Sequence, residues 1–107
     1  MRADTELLRA YCDDASEEAF TELVRRYIDL VYSAALRQVG GDAHRAQDVA
    51  QRVFLALARK AGSLRDRPTL VGWLFVATRL AAIKAIRSES RRLARKKGCV
   101  HHERAHG

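Results

Sequence analysis

Asp42-Ala-His-Arg-Ala-Gln-Asp-Val-Ala-Gln-Arg-Val-Phe-Leu-Ala-Leu57 and Thr69-Leu-Val-Gly-Trp-Leu-Phe75 are the two runs whose reading decides the fold. In the first, Ala46, Val49, Ala50, Val53, Phe54 and Leu57 recur at helical spacing behind an aspartate suited to cap a helix. Asp48, Gln51, Arg52, Leu55 and Arg59 fall on the opposite side, and Leu55 is the one apolar member among them. Gly62 is read as the end of this helix. Residues 63–68 then form a loop that exposes Arg65 and Arg67 around Asp66. Pro68 cannot continue the preceding helix, and Thr69 is placed to cap the next. Leu70, Trp73, Leu74, Ala77, Leu80 and Ala81 give that helix its stripe, with Ile83 and Ile86 continuing it more weakly. Extended to Lys97 it would measure about 42 Å at roughly 1.5 Å per residue. Its last turns carry Arg87, Arg91, Arg92, Arg95, Lys96 and Lys97 and have no apolar stripe.

Working outward, Gly40-Gly41 stops the helix before Asp42 in the manner of a C-cap. That helix opens at Ser16, with Glu17 and Glu18 in the first turn, where the helix dipole favours negative charge. Phe20, Leu23, Tyr27, Leu30, Val31, Ala34 and Ala35 form its stripe, which leaves Arg25, Arg26 and Asp29 facing solvent. Ahead of it, Thr5 is read as the cap of a short helix over residues 6–13, with Leu7, Leu8 and Tyr11 on one side. The expected fold is all-α: a compact bundle of three main helices plus a short N-terminal one. Residues 1–97 form one domain, and residues 98–107, after the helix-breaking Gly98, form a disordered tail or the start of a linker.

Composition narrows the function. The 107 residues hold six glycines and one proline, and no apolar run approaches the roughly 18 to 20 residues that span a bilayer. The N-terminus lacks the basic-then-apolar order of a signal peptide. Cys12 and Cys99 lie in unrelated contexts, so a reducing cytoplasm is the expected compartment. The net charge of +7 is polarised: residues 1–30 hold 4 basic and 8 acidic side chains, residues 31–83 hold 8 and 3, and residues 84–107 hold 8 and 2. A basic C-terminal half suits an anionic partner, most simply nucleic acid, against the plainer reading of a solvated surface.

Catalysis finds little support. No carboxylate is paired with a histidine or set in an apolar run, the serines and threonines sit at caps, and there is no phosphate-cradling glycine loop. No enzyme and no cofactor is expected. Cys99, His101, His102 and His106 are borderline metal ligands, but a terminal linker is the preferred reading of that stretch. Lys84, Arg87 and Arg91, spaced by 3 and 4 and joined by Arg79, form a cationic row that could follow a phosphate backbone. Arg65 and Arg67 at the start of the same helix would deepen this row into a concave anion site. Trp73 is read as core in preference to a stacking platform for an unpaired base.

These residues carry a resemblance. Ala19-Phe-Thr-Glu-Leu-Val-Arg-Arg-Tyr27 with Val31-Tyr-Ser-Ala-Ala-Leu-Arg37 looks like the first block of extracytoplasmic-function sigma factors of the bacterial sigma-70 family. Asp48-Val-Ala-Gln-Arg-Val-Phe54 is similar to the family's Asp-Leu-Val-Gln-Glu-Val-Phe. Gly72-Trp-Leu-Phe-Val-Ala-Thr-Arg-Leu-Ala81 resembles its Ala-Trp-Leu-Tyr-Arg-Ile-Ala-Arg-Asn-Leu-Ala. The blocks occur in order and with family spacing over residues 16–97. The resemblance implies region 2, a transcription-initiation domain that binds core RNA polymerase and recognises and helps melt the −10 promoter element. Docking on the β′ clamp helices carries over to Asp48, Gln51, Arg52 and Leu55. Capture of the single-stranded non-template strand carries over to Arg65, Arg67, Thr69, Arg79, Ile83, Lys84 and Arg87, and the cationic row adds Arg91. An anti-sigma factor is a further candidate partner.

Arg52 departs from the family's acidic residue, Leu80 from its frequent Asn, and Lys84 from its frequent Asp. The promoter sequence therefore cannot be borrowed from other members. A second helical domain that reads the −35 element is expected after region 2 and does not fit within the chain. The rival readings are a polymerase- or anti-sigma-binding module that reads no promoter, and an unrelated basic helical adaptor that binds nucleic acid.

Overall fold

The computed structural model describes residues 2–101, and side chains as far as residue 95. The four helices are α1 (Asp4–Asp14), α2 (Glu17–Gln38), α3 (Ala43–Leu64) and α4 (Val71–His101), and among the described residues there is no strand. The all-α bundle of three long helices and one short one is the architecture expected from the apolar spacing.

Two of the caps form as read. The Ser16 hydroxyl accepts the Ala19 N–H at 3.1 Å, and the Asp42 carboxylate accepts the Arg45 N–H at 3.2 Å. Between them the chain reverses through Gly40 (φ +68°) and Gly41 (φ +86°), a left-handed region that costs a side-chain-bearing residue about 1–2 kcal/mol. The Gly41 N–H bonds back to the Leu36 carbonyl at 2.8 Å, which satisfies one of the orphan acceptors at the end of α2.

The α3 stripe is buried as read, from Ala46 to Leu57, but it does not stop there. Ala61 and Leu64 are also buried, and their packing carries the helix through Gly62, which therefore does not end it. The connection to α4 is correspondingly shorter and begins at Arg65. Thr69 is not the residue immediately before α4. Leu70 holds that place, and the Thr69 hydroxyl reaches forward to accept the Val71 N–H at 3.3 Å.

On α4 the expected stripe packs on the core at Leu70, Trp73, Leu74, Ala77 and Ala81 but not at Leu80, and the fully buried line lies to one side of it. That line runs through Leu70, Leu74, Thr78 and Ala82 at four-residue steps, while Leu80 is 53% exposed and Trp73 is only half-buried. Thr78 is buried without penalty because its hydroxyl donates to the Leu74 carbonyl at 2.7 Å. Thr78 and Ala82 are small residues at the fully buried positions of α4, and Leu80 lies off that line. The helix also continues past Gly98 to His101, so Gly98 does not break it.

The N-terminal helix differs most from expectation. Thr5 is not its cap: α1 begins at Asp4, with Ala3 before it, and Glu6 folds back to accept the Ala3 N–H at 2.8 Å. The reason is tertiary. Asp4 is buried at 6% exposure, and its carboxylate accepts from Arg26 at 2.8 Å and from the Tyr27 hydroxyl at 2.5 Å. Arg26, expected to face solvent, is instead turned inward onto Asp4 and also donates to the Arg2 carbonyl at 2.6 Å. Arg25 and Asp29 are exposed as read.

Candidate functional site: an apolar groove and a cationic helix face

Two surfaces on different helices hold the residues singled out in the sequence. The first lies on α3. Asp48, Gln51, Arg52 and Leu55 are all exposed, and their spacing puts them on one side of the helix, opposite the buried stripe. Leu55 is 57% exposed, an apolar side chain held in water by the packing of its neighbours Val53, Phe54 and Leu57.

Leu55 does not stand alone. It and Gln51 form one wall of an open groove of about 690 Å³ between α2 and α3. The opposite wall comes from α2: Phe20, Val24, Ile28 and Tyr32, with Asp29 at its edge. Gln47, Ala50, Phe54 and Ala58 complete the α3 side. Asp48 and Arg52 do not line the groove and form a polar shoulder beside it. Of the α2 wall the sequence marked only Phe20, and that as part of the core stripe. The wall's signal was present: positions 20, 24, 28 and 32 step by four, a second apolar line beside the core stripe of the same helix. An apolar floor with a polar shoulder is the usual anatomy of a protein-docking site.

The second surface lies on α4. Arg79, Ile83, Lys84, Arg87 and Arg91 are exposed. Among the described residues, none of these four cations takes part in an ion pair, so their charge is available to an outside anion. Val76, Leu80 and Ile83, at 48%, 53% and 39% exposure, run between them. Val76 and Leu80 were not expected on this face; their spacing by four, joined by Ile83 three residues on, is the signal that marks them. Cations bordering an apolar strip suit a ligand with both charge and flat unsaturated surface, as an unpaired nucleic-acid strand has.

The loop residues divide. Arg67 and Thr69 are exposed, and Arg67 has no ion-pair partner among the described residues. Arg65 is only half-exposed, and it donates to the Asp13 carboxylate at 2.5 Å. Asp66 is likewise taken up, by Arg9 at 2.9 Å. Arg67 precedes α4, and from Val71 to Arg91 the helix runs about 30 Å at roughly 1.5 Å per residue. The loop and the far cations therefore form an extended track along α4, not the concave pocket inferred from their charge.

The acidity of Tyr27 is displaced by its surroundings. Its pKa is raised, first by burial and then by the bond to, and the charge of, Asp4, with Thr69 and Arg26 pulling the other way. Among the described residues no cluster of His, Cys, Asp or Glu could hold a metal. The histidines 101, 102 and 106 and Cys99, with their metal reading, lie outside the residues whose side chains are described. No helix is long and apolar enough, among the described residues, to cross a membrane.

The fold is an all-α module with an apolar groove between α2 and α3 and a cationic face on α4. The family model of sigma-70 region 2 matches residues 23–92, most of the chain, and the protein belongs to that family. No curated protein and no solved structure matches the chain at a significant level. Region 2 is a domain of sigma factors, the proteins of transcription initiation, whose partners in general are core RNA polymerase and promoter DNA.

Proposed function

We propose that the protein, a sigma factor domain of the extracytoplasmic-function kind, docks on the β′ clamp helices of core RNA polymerase through the α2–α3 groove and the exposed face of α3. In this reading Leu55 and Gln51 meet the clamp's apolar contacts, while Asp48 and Arg52 meet its polar ones. The α4 face then takes the non-template strand of the −10 element as it melts. Arg79, Lys84, Arg87 and Arg91 follow phosphates, the Val76–Leu80–Ile83 strip meets unstacked bases, and Arg67 and Thr69 receive the strand at the start of the helix. The observation that carries the proposal is the separation of the two surfaces: one domain can hold polymerase and DNA at once without either blocking the other.

Co-purification with core RNA polymerase tests the first half, and binding to a single-stranded −10 oligonucleotide in preference to the same duplex tests the second. Retention on polymerase with no affinity for the oligonucleotide would favour a binding module that reads no promoter. The pairing of Arg65 and Asp66 with α1 supports that second reading, because it removes one loop cation from the DNA side.

A further inference from the structure

The α3–α4 loop, residues 65–70, is laced to α1 along its length. Asp13 pairs with Arg65 at one end, Arg9 pairs with Asp66 beside it, and Asp4 accepts the Leu70 N–H at 3.2 Å at the other. α1 and the loop run in opposite directions across these three contacts. They differ in kind. The Arg9 and Asp13 pairs are exposed, and water screens such pairs enough that they bias a loop without locking it.

Asp4 is a different case. It is a buried carboxylate with one oxygen on Arg26 and the other shared between the Tyr27 hydroxyl and the Leu70 amide. Leu70 is itself fully buried, so no water can replace Asp4 on that amide. The carboxylate also lies at the amino end of α4, where the helix dipole favours a negative charge.

We infer that α1 is a positioning strap for the α3–α4 loop, with Asp4 as its buried anchor and Arg9 and Asp13 as its surface ties. The strap sets where Arg67 and Thr69 stand when nucleic acid arrives. Its ties act on the loop side, because Asp4, Arg9 and Asp13 hold no residue that lines the α2–α3 groove; the contact of α1 with that groove is made by another residue, Tyr11, whose ring lies 4.8 Å from that of Phe20. This rests on the proposed reading of α4 and the loop as the DNA face, and assigns to that reading a set of positioning residues outside it.

The test uses the full chain with two variants. Asp4→Asn keeps the volume and one acceptor but removes the charge that holds Arg26. The double variant Arg9→Ala/Asp13→Ala removes one charge of each sign, so the net charge is unchanged and the exposed sites pose little risk to folding. Three quantities are read: amide hydrogen exchange at Leu70 and Val71, affinity for a single-stranded −10 oligonucleotide, and affinity for a β′ clamp-helix fragment. For Asp4→Asn we expect exchange at Leu70 to quicken about tenfold and oligonucleotide affinity to fall about three- to tenfold, the scale of one weakened buried hydrogen bond. The double variant should lose about threefold, in line with two exposed pairs. Both should bind the clamp fragment as the parent does.

Faster exchange with unchanged oligonucleotide affinity overturns the inference, and so does an equal loss of both affinities, which marks a general loss of structure. A double variant that binds oligonucleotide as well as or better than the parent also overturns it, and that arm decides the matter if Asp4→Asn does not fold. A parent chain that binds the clamp fragment but no oligonucleotide fails at an earlier point: it removes the DNA reading itself, and the strap's role with it.

Discussion

Tyr27 shows how much one side chain can be asked to report. Its hydroxyl donates to buried Asp4, and burial followed by the neighbouring carboxylate raises its pKa above the ordinary 10.0. A raised folded-state pKa means the neutral form is favoured by folding. That contribution is complete below the unfolded pKa of 10.0 and is lost as pH climbs through the higher folded value. Urea midpoints should therefore fall above about pH 10, and Tyr27→Phe should flatten that alkaline limb while costing about 1 kcal/mol near neutrality for the missing hydrogen bond. An alkaline limb of unchanged steepness in the variant would separate Tyr27 from the effect. Nothing near Tyr27 or Asp4 in sequence announces their contact. The residues lie 23 positions apart, and the Leu70 amide lies 66 from Asp4, so only packing brings the three together.

At the scale of an element, α3 and α4 illustrate where a periodic pattern is reliable. The α3 stripe was legible residue by residue because each turn repeats a Val, Ala, Leu or Phe against polar neighbours. Its end was not, since glycine is a local signal of termination and Ala61 and Leu64 outweigh it through burial. Gly62 sits within the helix, and a Cβ there would meet nothing within 4 Å. Gly62→Ala should accordingly stabilise the fold by about 0.8–1 kcal/mol, the helix-propensity difference, visible as a higher urea midpoint. A lower midpoint would mean the glycine serves a conformation absent from this structure. On α4 apolar residues occur on nearly every side, so several stripes fit the sequence equally well. The fully buried one carries the small residues Thr78 and Ala82, and Leu80 lies off it.

The same helix carries the charge prediction. Arg87 and Arg91 are exposed and unpaired among the described residues, so Arg87→Glu/Arg91→Glu should weaken binding to single-stranded DNA of any sequence. The slope of log affinity against log salt should lessen by about one to two for the pair, because fewer neutralised phosphates release fewer counterions. An unaltered slope would take the distal half of α4 out of the DNA path.

For the whole molecule, the arrangement predicts independence of two bindings. Gln51 and Leu55 lie on the groove side, exposed and away from α4's cationic face, so Gln51→Ala/Leu55→Ala should leave the melting temperature and the oligonucleotide affinity in place. Affinity for a clamp-helix fragment should drop at least about tenfold, the loss typical of removing an interface centre. If the double variant still binds the fragment normally, the docking site lies elsewhere on the domain.

Sequence alone was enough for the helical class, the number of long helices, the caps at Ser16 and Asp42, the Gly40-Gly41 reversal and the family, because these depend on local spacing and capping chemistry. It also located Leu55 and the exposed cations, whose neighbours leave them no buried side. Tertiary structure decided the remainder: the burial of Asp4 and the turn of Arg26 onto it, the pairing of Arg65 with Asp13, the α2 wall of the groove and the outward face of Leu80 on α4. Each of these depends on a partner more than twenty residues away, or on which of several apolar faces finds room in the core. Such choices are settled by packing volume and by the cost of leaving buried charge or amide unpaired, and neither is written in the spacing of a single helix.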